Sequence, residues 1–153
     1  MKYFAPFLII VLSIAVYSFV PKMYSNDSAV NLKKEKGIQF WGNDWKSALS
    51  EAKSKKKLIF LDAYASWCGP CKMLKKNTFT DEKAGNFFND KFISVALDME
   101  KGEGPEIGAK YGVNAFPTLI ITDADGNLIT YTQGYITPAQ LIEFGQYGLN
   151  KTK

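Results

Sequence analysis

The stretch YASWCGPCKML, Tyr64 to Leu74, contains both cysteines of the chain, Cys68 and Cys71. Two thiols three positions apart suit three kinds of chemistry: half of a metal hook, a structural bridge, or a pair that cycles between dithiol and disulfide. Composition weighs on the choice. The 153 residues include no histidine, which removes Ser-His and Cys-His catalysis together with the commonest metal ligand. Two cysteines supply half of a tetrahedral zinc site, so no metal centre is assigned. A Cu(I)-binding module built on two soft thiolates stays open, although the thioethers it would want, Met73 and Met99, read better as core or surface residues.

All 19 basic residues are lysines and the net charge is +4. Without arginine there is no bidentate fork for phosphate or base edges, so nucleic acid is not an expected partner. The lysine runs within 33–36 and 53–57 read as solvated surface. The length fits one domain, and an apolar content of 46% is enough for a packed core.

The elements that must hold the pair can be read outward from it. Leu58–Tyr64, LIFLDAY, is a continuous apolar run that suits a central strand buried on both faces. Its one acid, Asp62, is costly to bury and so needs a purpose or a partner; the alternative is an acid facing solvent at the strand end. Gly69-Pro70 opens a helix directly after Cys68, since proline fits a first helical turn. That helix falters around Asn77–Thr80, and a second piece begins at Asp81-Glu82 and runs to about Asn89. Upstream, Gly37–Trp41 is a short strand candidate. Asn43 or Asp44 caps a helix over Trp45–Lys56, whose Trp45, Ala48, Leu49 and Ala52 share a face. Downstream come a strand over Phe92–Asp98 and a helix over Pro105–Tyr111 closed by Gly112. Strands Thr118–Thr122 and Leu128–Thr132 are joined by the turn DADGN, and a last helix, capped by Thr137, runs from Pro138 to about Leu149. The order β-α-β-α-β-α-β-β-α predicts an α/β fold: a mixed central sheet, parallel strands early and an antiparallel hairpin late, flanked by helices.

Phe4 to Val20 is nearly unbroken apolar sequence after Lys2, interrupted by Pro6, Ser13 and Ser18. It has the form of a secretory signal and also lies within the range that spans a bilayer. Ser13-Ile14-Ala15 is a poor cleavage site, and no cysteine follows for lipoprotein processing. Lys22, Lys33, Lys34 and Lys36 outnumber Lys2, a charge bias against export. The expected organisation is a signal peptide or N-terminal membrane anchor over 1–20, a polar linker over 21–36 and the folded domain over 37–153. The expected location is extracytoplasmic: periplasmic, secreted or tethered. A cytoplasm-facing tether and a buried core segment are the alternatives.

DAYASWCGPCK, together with KYGVNAFPTLIITDADG, resembles the thioredoxin superfamily over roughly Phe40 to Leu149. The specific parts are W-C-G-P-C after a buried strand and Pro117, 46 residues past Cys71, in a Y-G-V-x-x-x-P-T context. The resemblance implies a thioredoxin fold and a thiol-disulfide oxidoreductase that needs no cofactor beyond its cysteines. It makes Cys68 the nucleophile, at a helix N-terminus whose unpaired N–H groups and dipole lower a thiol pKa. Cys71, one turn on and the more buried of the two, becomes the resolving thiol. Asp62 lies six residues before Cys68, where the family carries a buried acid. There it is implied to accept the Cys71 proton, with a pKa raised by desolvation. Pro117 is implied to be cis and to lie against the disulfide, with Phe116 offering backbone groups to a substrate strand. Taken alone, the sequence favours a trans proline opening an edge strand. Trp67, with Gly69 and Pro70 shaping the turn, belongs to the implied docking surface; a core aromatic is the other reading of Trp67.

The chain also departs from the family pattern. By alignment Ser94 stands where cytoplasmic thioredoxins often carry a strand lysine near the buried acid, and Phe116 is bulkier than the usual residue before the proline. Lys75 to Phe92, without a kinking proline, is similar to the electron-receiving thioredoxin-like domain of bacterial membrane disulfide-interchange reductases and to other exported thioredoxin-like proteins. The expected activity is therefore a reductant outside the cytoplasm, acting on disulfide-containing proteins or cytochrome maturation factors. A membrane or soluble electron donor would refill it, and nothing demands more than a monomer. Gly-Pro between the cysteines resembles the reducing members. An isomerase or oxidase using the same pair, and the Cu(I) module, are the alternatives.

Overall fold

The computed structural model describes residues 36–42 and 44–152. The apolar segment 1–20, residues 21–35 of the linker and Asn43 lie outside the described residues. The sheet is built around β1 (Leu58–Tyr64). On one side β1 pairs in parallel with β2 (Phe92–Asp98), and on the other it pairs antiparallel with β3 (Thr118–Thr122). β4 (Leu128–Gln133) pairs antiparallel with β3, giving the order β2-β1-β3-β4. A central strand buries both faces, which is why the run from Leu58 shows no polar alternation. Ile59, Leu61 and Ala63 enter one core layer with Trp45, Val95, Leu97 and Ile107. Phe60 enters the other with Phe79, Phe88, Leu119, Ile121 and Leu141. That second layer is bound largely by aromatic contacts: ring centroids are 4.7 Å apart for Phe60–Phe88 and 4.9 Å for Phe88–Phe92.

Four of the five described α-helices begin where a side chain accepts one of their free N–H groups. α1 (Trp45–Lys55) is capped by Asp44, which accepts from the N–H groups of Lys46 and Ser47. α2 (Gly69–Met73) starts at Cys68 with Pro70 in its first turn. Asp81 caps α3 (Glu82–Lys91) through the N–H of Ala84. α4 (Gly104–Tyr111) stops at Gly112, whose φ of 65° is left-handed. α5 (Pro138–Asn150) opens on a reciprocal capping box between Thr137 and Gln140.

Two expected elements differ. The strand expected over Gly37–Trp41 reduces to a single bridge, Phe40 opposite Ser94 on the free edge of β2. The backbone donors of this stretch go elsewhere: Ile38 N–H to the Phe79 carbonyl at 2.7 Å and Gln39 N–H to Asn89 Oδ1 at 2.8 Å, while Trp41 N–H reaches the Ser94 carbonyl at 2.6 Å. The helix after the cysteines does not simply stop near Asn77. It widens into a π-turn over Leu74–Thr78, closed by Phe79 N–H to the Leu74 carbonyl at 2.9 Å. The wider turn leaves Thr78 and Phe79 buried. The Thr78 hydroxyl then donates to the Ile136 carbonyl at 2.7 Å, and Phe79 joins Phe40 and Phe60 edge-on.

Candidate functional site

β1 delivers the chain to the site. After Tyr64 a tight turn, with Cys68 N–H on the Ala65 carbonyl at 3.0 Å, places Cys68 as the N-cap of α2. The Cys68 sulfur accepts the backbone N–H of Cys71 at 3.1 Å. The two cysteines form a disulfide, with Cα atoms 5.3 Å apart. Both are buried, Cys68 at 3% and Cys71 at 6% exposure. The expectation that Cys71 is the more buried thiol is therefore corrected. Phe116 and Tyr64 pack on the cluster of Ala65, Cys68 and Cys71 and cover both cysteines.

Trp67 stands edge-on to Phe116 with centroids 6.0 Å apart. It is 65% exposed, which makes it a surface ledge and not a core residue. Its indole N–H donates to the Glu100 carboxylate, 3.0 Å from each oxygen. Gly69 and Pro70 are exposed at the start of α2. The Phe116–Pro117 peptide bond is cis, and the buried Pro117 leads directly into β3. There the Thr118 hydroxyl returns to the Ala115 carbonyl at 2.7 Å, and the Pro117 carbonyl accepts Gly134 N–H at 2.9 Å.

Asp62 lies on the same face of β1 as Phe60 and Tyr64. It is buried, and its Oδ1 has no hydrogen-bond partner among the described residues. Burial pushes its pKa up to about 7 from an ordinary 3.8, while the positive charge of Lys75 pulls the other way. The sheet register corrects the alignment of the neighbouring strand. Ala96, not Ser94, stands opposite Asp62, and Ser94 faces Phe60. Sequence counting missed this by one pleat, because it does not set the stagger of two parallel strands. Leu119 flanks Asp62 from β3, so no strand neighbour brings it a cation.

A cleft of about 540 Å³ opens beside the acid and the disulfide. Phe40, Tyr64, Phe79, Ala96, Asp62 and Cys71 line it, together with Lys36, Lys72 and Lys75. Cys71 and Asp62 thus meet one solvent-reaching space, while Trp67 and Phe116 form a separate aromatic pair outside its lining. Sequence reasoning missed Lys75 and Glu100. Lys75 carried one usable signal, its position four residues after Cys71 and so on the same side of a helix. Glu100 carried none, because its contact with Trp67 is purely tertiary. Met99 packs in the core and Met73 is exposed on α2, as the sequence suggested for both.

A dithiol-disulfide pair at a helix start, with an acid that titrates near neutrality beside it, can exchange electrons and protons with another disulfide. The family model for a thioredoxin-like domain matches residues 45–149. The chain belongs to the thioredoxin-like family. Its Cys68–Cys71 disulfide is a CXXC pair inside the matched domain. The thioredoxin-like chain is 30% identical over 95 residues to the thiol:disulfide interchange protein DsbD of Yersinia pestis, covering 60% of this chain and 16% of that protein. It is 40% identical over 74 residues to a thioredoxin of Echinococcus granulosus, covering 48% of this chain and 64% of that one. It thus spans less than two thirds of the length of either relative.

Among solved structures, the thioredoxin-like domain is similar to a Bacteroides thetaiotaomicron protein provisionally assigned as a disulphide-isomerase. That match has 37% identity and a TM-score of 0.67, over 76% of this chain and 96% of the other. It also shares its fold with the oxidised C-terminal domain of Neisseria meningitidis DsbD, at 22% identity and a TM-score of 0.58 over 67% of this chain and 91% of that domain.

Proposed function

We propose that the chain is a protein-disulfide reductase that works outside the cytoplasm. The observation that carries this reading is the Cys68–Cys71 disulfide sharing a cleft with a buried, unpartnered Asp62. In the reduced protein Cys68, favoured as a thiolate by the Cys71 N–H and the start of α2, attacks one sulfur of a substrate disulfide. A mixed disulfide forms and the first substrate thiolate leaves. Cys71 gives its proton to Asp62, and its sulfur attacks Cys68 Sγ. The second substrate thiolate is released, and the Cys68–Cys71 disulfide remains. The substrate gains two electrons, and a membrane or soluble dithiol donor returns them to the pair. Trp67, Phe116, Gly69, Pro70 and the cis Pro117 form the face on which a substrate strand docks.

The direction is argued from charge. A strong oxidant gains its potential by stabilising the thiolate of the reduced form. Here the one backbone donor on Cys68 among the described residues is opposed by Asp62, which when ionised disfavours a second negative charge nearby. The second effect favours the disulfide as product, so the dithiol gives electrons away. Residues 1–20 serve as export signal or anchor in this reading, with 21–36 as linker and the domain acting as a monomer. A second reading, disulfide isomerase, draws on the 37% identical Bacteroides relative.

The test is the reduction potential of the pair, read by thiol alkylation in glutathione or dithiothreitol buffers, together with insulin reduction. A potential nearer ~−270 mV than ~−120 mV is expected, and a strongly oxidising value overturns the direction. Cys68→Ser should abolish insulin reduction; retained activity rejects Cys68 as nucleophile. Rescue of scrambled ribonuclease without insulin reduction would favour the isomerase.

A further inference from the structure

Asp62 is a buried acid whose strand neighbours, Ala96 on β2 and Leu119 on β3, are uncharged. Ser94, on the same face of β2, is neutral. Asp98, further along that strand, is turned to Lys101 at 3.3 Å. The groups that face the acid come instead from around the cleft: Tyr64 on its own strand, Cys71 and Lys72 on α2, Lys75 on the π-turn, and Lys36 from the stretch preceding α1. Three of these five are cations.

Lys75 differs from the other two lysines. It sits one helical turn beyond Cys71, where residues four apart share a side. It also belongs to the π-turn, whose wider winding is anchored by Phe79 N–H on the Leu74 carbonyl and by Thr78 on Ile136. π-turns are rare and recur at functional positions. Lys75 and Cys71 thus line the same cleft as Asp62. Among the described residues, Lys75 is also the cation whose positive charge opposes the effect of burial on Asp62.

We propose that Lys75, lining the cleft one helical turn beyond Cys71, is a positioning residue for the resolving step in which Asp62 accepts the Cys71 proton. This rests on the reading of Asp62 as proton acceptor. In the step itself the Cys71 S–H bond breaks and its proton goes to an Asp62 oxygen. The freed sulfur pair forms the bond to Cys68 Sγ, and the Cys68–substrate S–S bond breaks, its electron pair leaving on the substrate sulfur. Asp62 then returns its proton to water. Lys75 neither gains nor loses a bond. By favouring the carboxylate it makes the acceptor available at a lower pH than burial alone would allow.

Stopped-flow reaction of the reduced protein with 5,5′-dithiobis(2-nitrobenzoate) separates the two sulfur steps. The first thionitrobenzoate is released by Cys68 and the second by Cys71, so the pH dependence of the second phase reads the resolving step. Lys75→Met should move the midpoint of the second phase upward by ~0.5 pH unit, slowing it ~3-fold on the acid side and leaving the first phase unchanged. Lys75→Arg should keep the wild-type midpoint, as should Lys36→Met and Lys72→Met. In an Asp62→Asn background Lys75→Met should shift nothing. If Asp62→Asn alters the second phase and Lys75→Met does not, the role of Lys75 is wrong and that of Asp62 stands. If Lys75→Met shifts the midpoint equally in the Asp62→Asn background, the lysine acts on Cys71 directly and the proposal is overturned. If Asp62→Asn itself changes nothing, both readings fall.

Discussion

Replacing Asp62 by asparagine should make the oxidised protein more stable above neutral pH and erase part of its pH dependence. Burial lifts the Asp62 carboxyl from 3.8 to about 7. Between roughly pH 4 and pH 7 the folded chain therefore holds a proton that the unfolded chain has released. Stability from this group is full below the unfolded pKa, declines as pH rises through the window, and levels off above about 7. A difference of about three pKa units at ~1.4 kcal/mol each puts the cost of the ionised acid on the order of 4 kcal/mol. Asparagine keeps the size and polarity of the protonated acid and cannot ionise, so it avoids that cost. Urea unfolding of both oxidised proteins, followed by tryptophan fluorescence from about pH 4.5 to pH 8.5, isolates the effect, since other titrating groups cancel in the difference. The variant should lie within ~1 kcal/mol of the wild type at the acid end and exceed it by ~4 kcal/mol at the alkaline end, which is ~15 °C in melting temperature for a domain of this size. A difference that stays constant across the range would refute the reasoning, because Asp62 would then ionise as freely in the folded protein as in the unfolded chain.

Two further outcomes follow from the same structure. Gly104 opens α4 against the end of β2, where a Cβ would strike the Asp98 carbonyl oxygen and come within 2.7 Å of Met99 Cα. Gly104→Ala should cost ~2–3 kcal/mol in urea melts, because backbone atoms cannot step aside as a side-chain tip can. Trp67→Ala removes an exposed ledge, so it should change stability by ~1 kcal/mol or less. It should raise KM for insulin reduction ~10-fold while leaving the rate with a small aromatic disulfide close to wild type.

The central strands were legible because their cues are local and concordant. β1, β2 and β3 occupy the predicted residues. Each is an apolar run ended by turn or capping residues, and no competing pattern overlaps it. The helices were legible for the same reason, their starts marked by Asp44, Asp81 and Thr137. Gly37–Trp41 has strand composition as well, yet a strand needs a partner along its length. Where the donors of Ile38 and Gln39 go was decided by Phe79 and Asn89, tens of residues away. The π-turn showed only as a weakening of the helical pattern, since its width answers to the burial of Thr78 and Phe79 in a core not yet assembled.

What the sequence determined by itself was chemistry that depends on residue type and short spacing: two thiols one helical turn apart, proline at a helix start, an acid inside an apolar run, no histidine, no arginine. Tertiary structure decided everything that depends on which distant residues meet. The stagger of β1 against β2 put Ala96, not Ser94, opposite Asp62. Folding brought Lys75 and Lys36, far apart in the chain, to the lining of one cleft with the acid. The loop before Pro117 laid Phe116 over the cysteines, so that Cys68 is no more exposed than Cys71, and Glu100 came to hold the Trp67 indole. Desolvation and charge act through space. The order of residues therefore names the groups that can react, and the packing of the sheet and helices sets how strongly each one is tuned.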